Sequence, residues 1–345
     1  MIPYWLRRRY AAGAVLAALA VAAASYALAA SLRTSQAVTR IEVRALPIES
    51  FDNRDPTRVR FGALEFRGGL ALTSTYEPFG GISALLVEPD GSHFLSLTDH
   101  GSWLRGRITY ENGRPTGIAD AEMAPMLGPD GRPLAARGWF DTESLAEADG
   151  MVYVGIERVE KIVRFAYRRD GLAARGVPIK VPDDFKTFTY NKSLECLTVP
   201  PKGAPLAGQL IAVTEHSLDA AGNHRSYVID GNRVMRFSVK RSGDDFDVSD
   251  CTILPPADLL LLERSFSYTR GIAFRIRRIP LARIQPGALV DGTPLIEADL
   301  AYQIDNMEGI AVHTNAAGET IITLVSDDNF SVIERNLLLQ FALVE

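Results

Sequence analysis

From about residue 58 onward the apolar residues fall into short runs, alternating with polar positions or wholly apolar, and Pro, Gly, Asn or Asp closes each one. Ile82 to Glu88 is followed by the turn Pro89-Asp90-Gly91, then by Phe94 to Thr98 and Leu104 to Tyr110. Near the C-terminus the plan recurs: Glu308 to His313, the turn Asn315 to Glu319, Thr320 to Val325, and Asn336 to Val344. Runs of this length with a period of two and turn residues at their ends predict antiparallel strands. Beyond the first thirty residues no long helical periodicity competes with that reading.

Acidic residues give the runs a larger period. Five runs end on a carboxylate, at Asp99, Glu157, Glu215, Glu263 and Asp327, spaced 48 to 64 residues apart. A second series opens the preceding run, at Gly81, Glu143, Glu195, Asp250 and Glu308, spaced 52 to 62 residues apart. Two series sharing one period predict repeated small sheets, and small antiparallel sheets repeated radially make a β-propeller. The fold class expected is therefore all-β, a propeller of five blades, or six if residues 41–79 contribute more than one strand. The segment Arg58 to Leu72, ahead of the first full unit, is placed to close the ring against the C-terminal strands.

In such a blade the start of the inner strand and the end of the second strand lie on the same face. Both acidic series should then converge on that face, with Glu143, Glu195, Asp250 and Glu308 nearest the axis. Like charges crowded around an axis repel one another unless a cation or shared protons compensate them. Any one of these acids could instead be an ordinary turn residue or a solvated strand end.

The leader changes the picture of where this domain works. Arg7, Arg8 and Arg9 precede an Ala-rich apolar run from Ala11 to Ala30, with Ala27-Leu28-Ala29 as a small-x-small cleavage candidate. Residues 1–30 read as an export signal, or as an uncleaved anchor whose apolar stretch nears bilayer-spanning length. Residues 31–57 then read as a linker or the start of the mature chain and 58–345 as the propeller, exported to the periplasm or held at the inner membrane facing it. Without the leader 34 basic residues stand against 42 acidic ones, an acidity that argues against nucleic acid as a partner. The membrane would be reached only through an uncleaved leader. The two cysteines, Cys196 and Cys251, follow members of the second acidic series. They read either as buried thiols or, in an oxidising compartment, as a pair joined where inner strands converge.

Familiar catalytic signatures are missing: there is no G-x-S-x-G elbow, H-E-x-x-H, P-loop, G-x-G-x-x-G or C-x-x-C. Carboxylates without a His or Cys cluster favour a hard, oxygen-liganded cation such as Ca²⁺. His100 and His216 directly follow Asp99 and Glu215 and should share the acidic face, and Arg158, Lys192, Arg264 and Arg270 lie near strand ends there. The densest oxygen-ligand runs are Asp305-Asn306-Met307-Glu308 and Ser326-Asp327-Asp328-Asn329.

Phe79-Gly-Gly-Ile-Ser-Ala-Leu, Leu97-Thr-Asp-His-Gly, Leu262-Glu-Arg-Ser-Phe, Asp305-Asn-Met-Glu-Gly-Ile and Ser326-Asp-Asp-Asn-Phe together resemble the phytase-like family described as "esterase-like activity of phytase". The resemblance spans roughly residues 60–345. It implies a propeller rich in Glu and Asp, found in exported bacterial proteins, with phosphoester hydrolase activity. Metal ligands are expected among Asp99, Glu143, Glu195, Asp250, Glu308, Asp327 and Asp328. Glu308 with Asp327 and Asp328 is expected to hold the catalytic cation, while Arg264 and His100 or His216 face a small anionic substrate. The other reading is a non-catalytic envelope propeller with a structural cation, binding a ligand or a protein.

Overall fold

The computed structural model describes residues 37–344 except 242, 244–245 and 268–270; the leader and Arg270 lie outside the described residues. Five sheets follow one another along the chain. Blade 1 runs from its inner strand Ile82–Val87 through His93–Thr98 and Ser102–Glu111 to Arg114–Pro125. Blade 2 comprises Thr142–Ala148, Met151–Ile156, Lys161–Phe165 and the short outer strand Val177–Pro178. Blade 3 comprises Cys196–Thr198, Leu210–Leu218, His224–Asp230 and Arg233–Val239, and Leu289–Val290 pairs parallel to its edge. Blade 4 comprises Phe246–Leu254, Asp258–Ser267, Gly271–Pro280 and Thr293–Asp299.

Blade 5 is built from both ends of the domain. Its inner three strands are Asn306–Thr314, Thr320–Asp327 and Asn336–Leu343, and its fourth is Leu64–Thr73. The closing strand expected at 58–72 is therefore present, pairing antiparallel with the last strand of the chain. A further strand, Arg44–Ile48, lies outside it, and Thr39–Arg40 pairs with the outer strand of blade 1. Among the described residues strand begins at Thr39, inside the stretch read as a linker or the start of the mature chain. Residues 41–79 extend blades 1 and 5, so there are five blades and no sixth among the described residues. The N-terminal segment clasps the seam where the ring closes.

Local sequence explains the hairpins. Asn112-Gly113 joins two long strands of blade 1 with φ of 51° and 77°, the left-handed pair that a two-residue hairpin matched to strand twist requires. The inner strands touch one another in a closed cycle, each against the inner strand of the next blade. Apolar side chains fill the spaces between blades: Phe51, Phe61, Phe66, Phe341 and Tyr302 form one aromatic cluster near the closure, and Trp103 packs edge-on against Phe165 between blades 1 and 2. Convergence at the axis brings Cys196 and Cys251 to a Cα separation of 5.1 Å, and they form a disulfide between the inner strands of blades 3 and 4. Of the two readings of the cysteines, the bridged one holds. Among the described residues no helix is long and apolar enough to cross a membrane.

Candidate active site: an acidic ring with one cation in it

The register of each blade fixes which side chains reach the axis. Near the acidic face, Ile82 opposes Thr98 while Ala84 opposes Leu97, leaving Ser83 as a bulge. The same slip leaves Glu143 unpaired in blade 2, Ser249 in blade 4 and Glu308 in blade 5. In blade 3 Cys196 opposes Val213, which puts Glu195 in the corresponding place. A bulge inserts one residue into a ladder and re-aims its side chain; here it turns Glu143, Glu195 and Glu308 toward the centre. The second strands then bring Asp99, Glu157, Glu215, Arg264 and Asp327 to one level of the ring, in register.

Blade 4 is one residue out of phase with the expectation. Glu263 aligns with Thr98, Ile156 and Ser326, and Asp250 aligns with Cys196, because Val248 opposes Glu263 and Asp250 opposes Leu262. Successive residues of a strand point to opposite sides, so Glu263 turns away from the ring. It is fully buried and ion-paired with Arg275 at 3.0 Å and with Arg277 at 2.6 Å. Arg264 occupies the ring position in its stead. Asp250, expected among the innermost metal ligands, uses Oδ2 to accept the amide of Ile310 at 2.8 Å and ties blade 4 to blade 5. The two cysteines are likewise staggered by one position rather than equivalent.

The ring is buried and strongly acidic. Glu157, Glu195 and Glu215 each offer a carboxylate oxygen, all within 4.8 Å of one another. Burial drives Glu195 and Glu143 well above the usual carboxylate range, with their acidic neighbours adding to the shift. Burial likewise pushes Glu157 to about 8 against the stabilising amide of Ser193, and nearby Glu215 and Asp141 push it further up. Asp327 reaches about 8, through burial and the charge of Glu308. Burial raises Glu308 as well, but only to about 7, because Arg264 Nε lies 3.0 Å from Oε1 and the Asn306 side-chain amide donates to the same oxygen at 2.9 Å. Arg264 also approaches Glu215 at 3.5 Å, and Lys192 pairs with that glutamate at 2.7 Å. Asp141 was not singled out from sequence; it lies two residues before Glu143, bonds Arg158 at 2.6 Å and adds its charge to the cluster.

The remaining candidates divide. Asp99 stands at the rim, raised to about 6 by burial, with Oδ1 lacking a hydrogen-bond partner. His100 beside it stacks on Phe330 with ring centroids 4.3 Å apart. His216 turns toward blade 4, its Nδ1 2.7 Å from Asp247. Asp328 is occupied by its loop and the strands beside it: Oδ1 accepts the amides of Gly81 and Phe330 at 3.0 and 3.1 Å, and Oδ2 accepts Asn336 Nδ2 at 2.7 Å. It caps a turn in the manner of an Asx motif. The trio Glu308, Asp327 and Asp328 is therefore not the open oxygen cluster; Glu157, Glu195 and Glu215 are.

A hard cation fits that trio. Calcium takes oxygen ligands at about 2.3–2.6 Å, so oxygens around it lie up to about 5 Å apart, and the three carboxylates already meet that span. Eight acids at the ring (Asp99, Asp141, Glu143, Glu157, Glu195, Glu215, Glu308 and Asp327) face three cations, Arg158, Lys192 and Arg264, which leaves charge for protons or a metal to balance.

No curated protein matches the chain. Among solved structures it is similar to the glutaminyl cyclase of Myxococcus xanthus, at 12% identity over 77% of this chain and 92% of that one, with a TM-score of 0.42. It is also similar to the PQQ-bound aldose sugar dehydrogenase of Streptomyces coelicolor, at 13% identity over 87% and 98%, with a TM-score of 0.38. The model of the family "Phytase-like: Esterase-like activity of phytase" matches residues 77–330, well over half of the chain. The protein belongs to that phytase-like family.

Proposed function

We propose that this protein is an exported, metal-dependent hydrolase of ester bonds, phosphoesters included, working at the acidic face of the propeller. The observation that carries the reading is the cluster of Glu157, Glu195 and Glu215, three buried carboxylates within 4.8 Å that no single protein cation neutralises. Those three would hold the ion. A hard divalent cation bound there would polarise the ester or phosphoryl oxygen and lower the pKa of a bound water.

The chain's own residues divide the proton chemistry. Asp99, raised to about 6, is ionised at neutral pH and can accept a proton at the mouth of the ring. Asp327, held to about 8, keeps its proton at the same pH and can donate it to a leaving oxygen. Carboxyl groups whose environments separate their pKa values in this way make an acid–base pair. Arg264 orients Glu308 and holds positive charge at the centre. Export is supported by the leader's pattern and by the Cys196–Cys251 disulfide, a bond that persists in oxidising compartments.

Arg264 also favours a second reading, since a resident counter-ion in the ring suits a purely structural centre that presents its face to a ligand. Turnover decides between the two. The purified protein should hydrolyse 4-nitrophenyl phosphate, bis(4-nitrophenyl) phosphate or 4-nitrophenyl butyrate with added Ca²⁺ and lose that activity in EDTA. Glu195→Gln should reduce kcat by about a hundredfold or more and weaken the calcium dependence. Calcium-induced stabilisation with no hydrolysis of any of the three esters would leave the structural reading in its place.

A further inference from the structure

The acidic ring is framed by apolar side chains. Phe140 precedes Asp141 and is 37% exposed; Tyr190, ahead of Lys192 and Ser193, is 70% exposed. The two flank the Arg158 guanidinium, with ring centroids 5.4 and 5.8 Å from it. Across the mouth, the loop that follows Asp327 carries Phe330, whose ring lies on His100 and against the backbone of Gly80 and Gly81. Beyond it Val332 and Ile333 stand fully and 85% exposed. Large apolar groups so close to buried carboxylates are costly neighbours for water-solvated charge and good neighbours for an apolar ligand group.

The cations at the ring give the complementary information. Arg158 is taken by Asp141 and Asn191, Lys192 by Glu215, and Arg264 by Glu308 and Glu215. A ligand carrying several phosphates needs several basic forks that are free to turn toward it. Each described cation touching this ring already has a carboxylate, and the surplus acids would repel a polyanion.

We propose that the substrate of this site carries an aromatic or acyl group beside its scissile ester and at most one negative charge. The apolar group lies against Tyr190 and Phe140 on one side or Phe330 and Ile333 on the other, and the ester sits over the ring. The inference rests on the hydrolase reading for the word substrate, but the recognition it describes is testable without turnover.

Diphenyl phosphate, with one charge and two rings, and inositol hexakisphosphate are titrated calorimetrically into the calcium-loaded full chain. Diphenyl phosphate should bind at least about tenfold more tightly. Tyr190→Ala and Ile333→Ser, both at highly exposed positions, should each weaken it, the pair by about tenfold, with melting temperature and calcium response unchanged. Tighter binding of inositol hexakisphosphate, no binding of diphenyl phosphate, or an unaffected double variant overturns the proposal. So does loss of binding to phosphatidylcholine vesicles in the double variant while diphenyl phosphate still binds, since the rim would then be a lipid surface. If diphenyl phosphate binds as expected but no ester is turned over, the recognition stands and the hydrolase reading falls.

Discussion

Blades 2 and 3 and blades 4 and 5 supply the same positions of the ring and treat them in opposite ways. On the first side Glu157, Glu195 and Glu215 crowd together, buried, and among the described residues the cations that approach them are Lys192 and the edge of Arg264. On the second side the acids have separate protein partners, although Asp250 Oδ1 has none. Arg264 and Asn306 engage Glu308, the Ile310 amide engages Asp250, and Asp328 is spent on its own loop. The disulfide Cys196–Cys251 crosses the boundary between the two sides and fixes the inner strands that carry them. One ring thus contains a half whose three carboxylates converge within 4.8 Å, suited to bind a cation, and a half in which Arg264 is the counter-charge. The pseudo-symmetry of a propeller permits this because each blade contributes its positions independently.

The largest consequence is a pH dependence of stability that a metal should erase. In an unfolded chain these carboxyls release their protons near the ordinary value of about 4.3, whereas Glu157 and Asp327 retain theirs to about 8 and Glu308 to about 7. Between those limits the folded state binds more protons than the unfolded state, so stability falls as pH rises. The stabilisation is complete below about pH 4 and is lost through pH 7–8. A metal held by Glu157, Glu195 and Glu215 requires those ligands ionised and competes with their protons. In EDTA the melting temperature, followed by circular dichroism, should therefore drop between pH 5 and pH 9, and millimolar Ca²⁺ should restore it most at the alkaline end. A calcium effect equal at pH 5 and pH 9 would mean that protons and the cation do not compete for this ring.

Removing the resident cation is the next test. Arg264→Met keeps much of the side-chain volume and leaves Glu308 and Glu215 without their guanidinium partner. Breaking a buried pair by deleting one member costs about 3 kcal/mol, and the partial exposure of Arg264 puts the expected loss at or below that figure. Denaturant unfolding in EDTA measures it. The calcium-induced rise in melting temperature should be larger in the variant than in the parent, because a second set of carboxylates becomes available. A smaller rise would mean that Arg264 helps to build the metal site rather than standing in for a cation.

Much of this architecture is legible in the residues. The period of the acidic series, the closing segment near 58–72 and the shared face follow from alternation and turn chemistry. The phase of blade 4 does not. Leu259 to Leu262 are wholly apolar and fully buried, so that strand carries no alternation to say which side of it faces the axis. A one-residue slip in a strand exchanges every side chain between faces, and with it Glu263 and Arg264 trade roles. Asp141 belongs to the backbone position occupied by Gly81 in blade 1, Ser193 in blade 3 and Asn306 in blade 5, and the blade that repeats the acid there, at Asp247, is blade 4, whose phase the alternation leaves open. The two N-terminal strands before residue 49 were hidden in a segment with little apolar alternation, which pairs only at sheet edges.

Asp328 gives the smallest effect and the sharpest discrimination. Its position in the run Ser326-Asp-Asp-Asn marks it as a ligand on composition alone, and Asp327 beside it does belong to the ring. The adjacent side chain points the other way and accepts two amides and one side-chain donor. Those bonds hold the loop carrying Phe330 against Gly81, where the close approach leaves no room for a β-carbon. Asp328→Ala strands these donors, at about 1 kcal/mol for each one that water cannot reach. The loss should come to about 1–2 kcal/mol in denaturant unfolding, because the loop is partly exposed and water replaces some of the lost bonds. The calcium-induced shift in melting temperature should match the parent's, since no ligand has been removed. Glu195→Gln, measured alongside, should lose most of that shift. If Asp328→Ala abolishes the calcium response while Glu195→Gln preserves it, the cation belongs to the fifth blade, and the division between an open and a filled half is reversed.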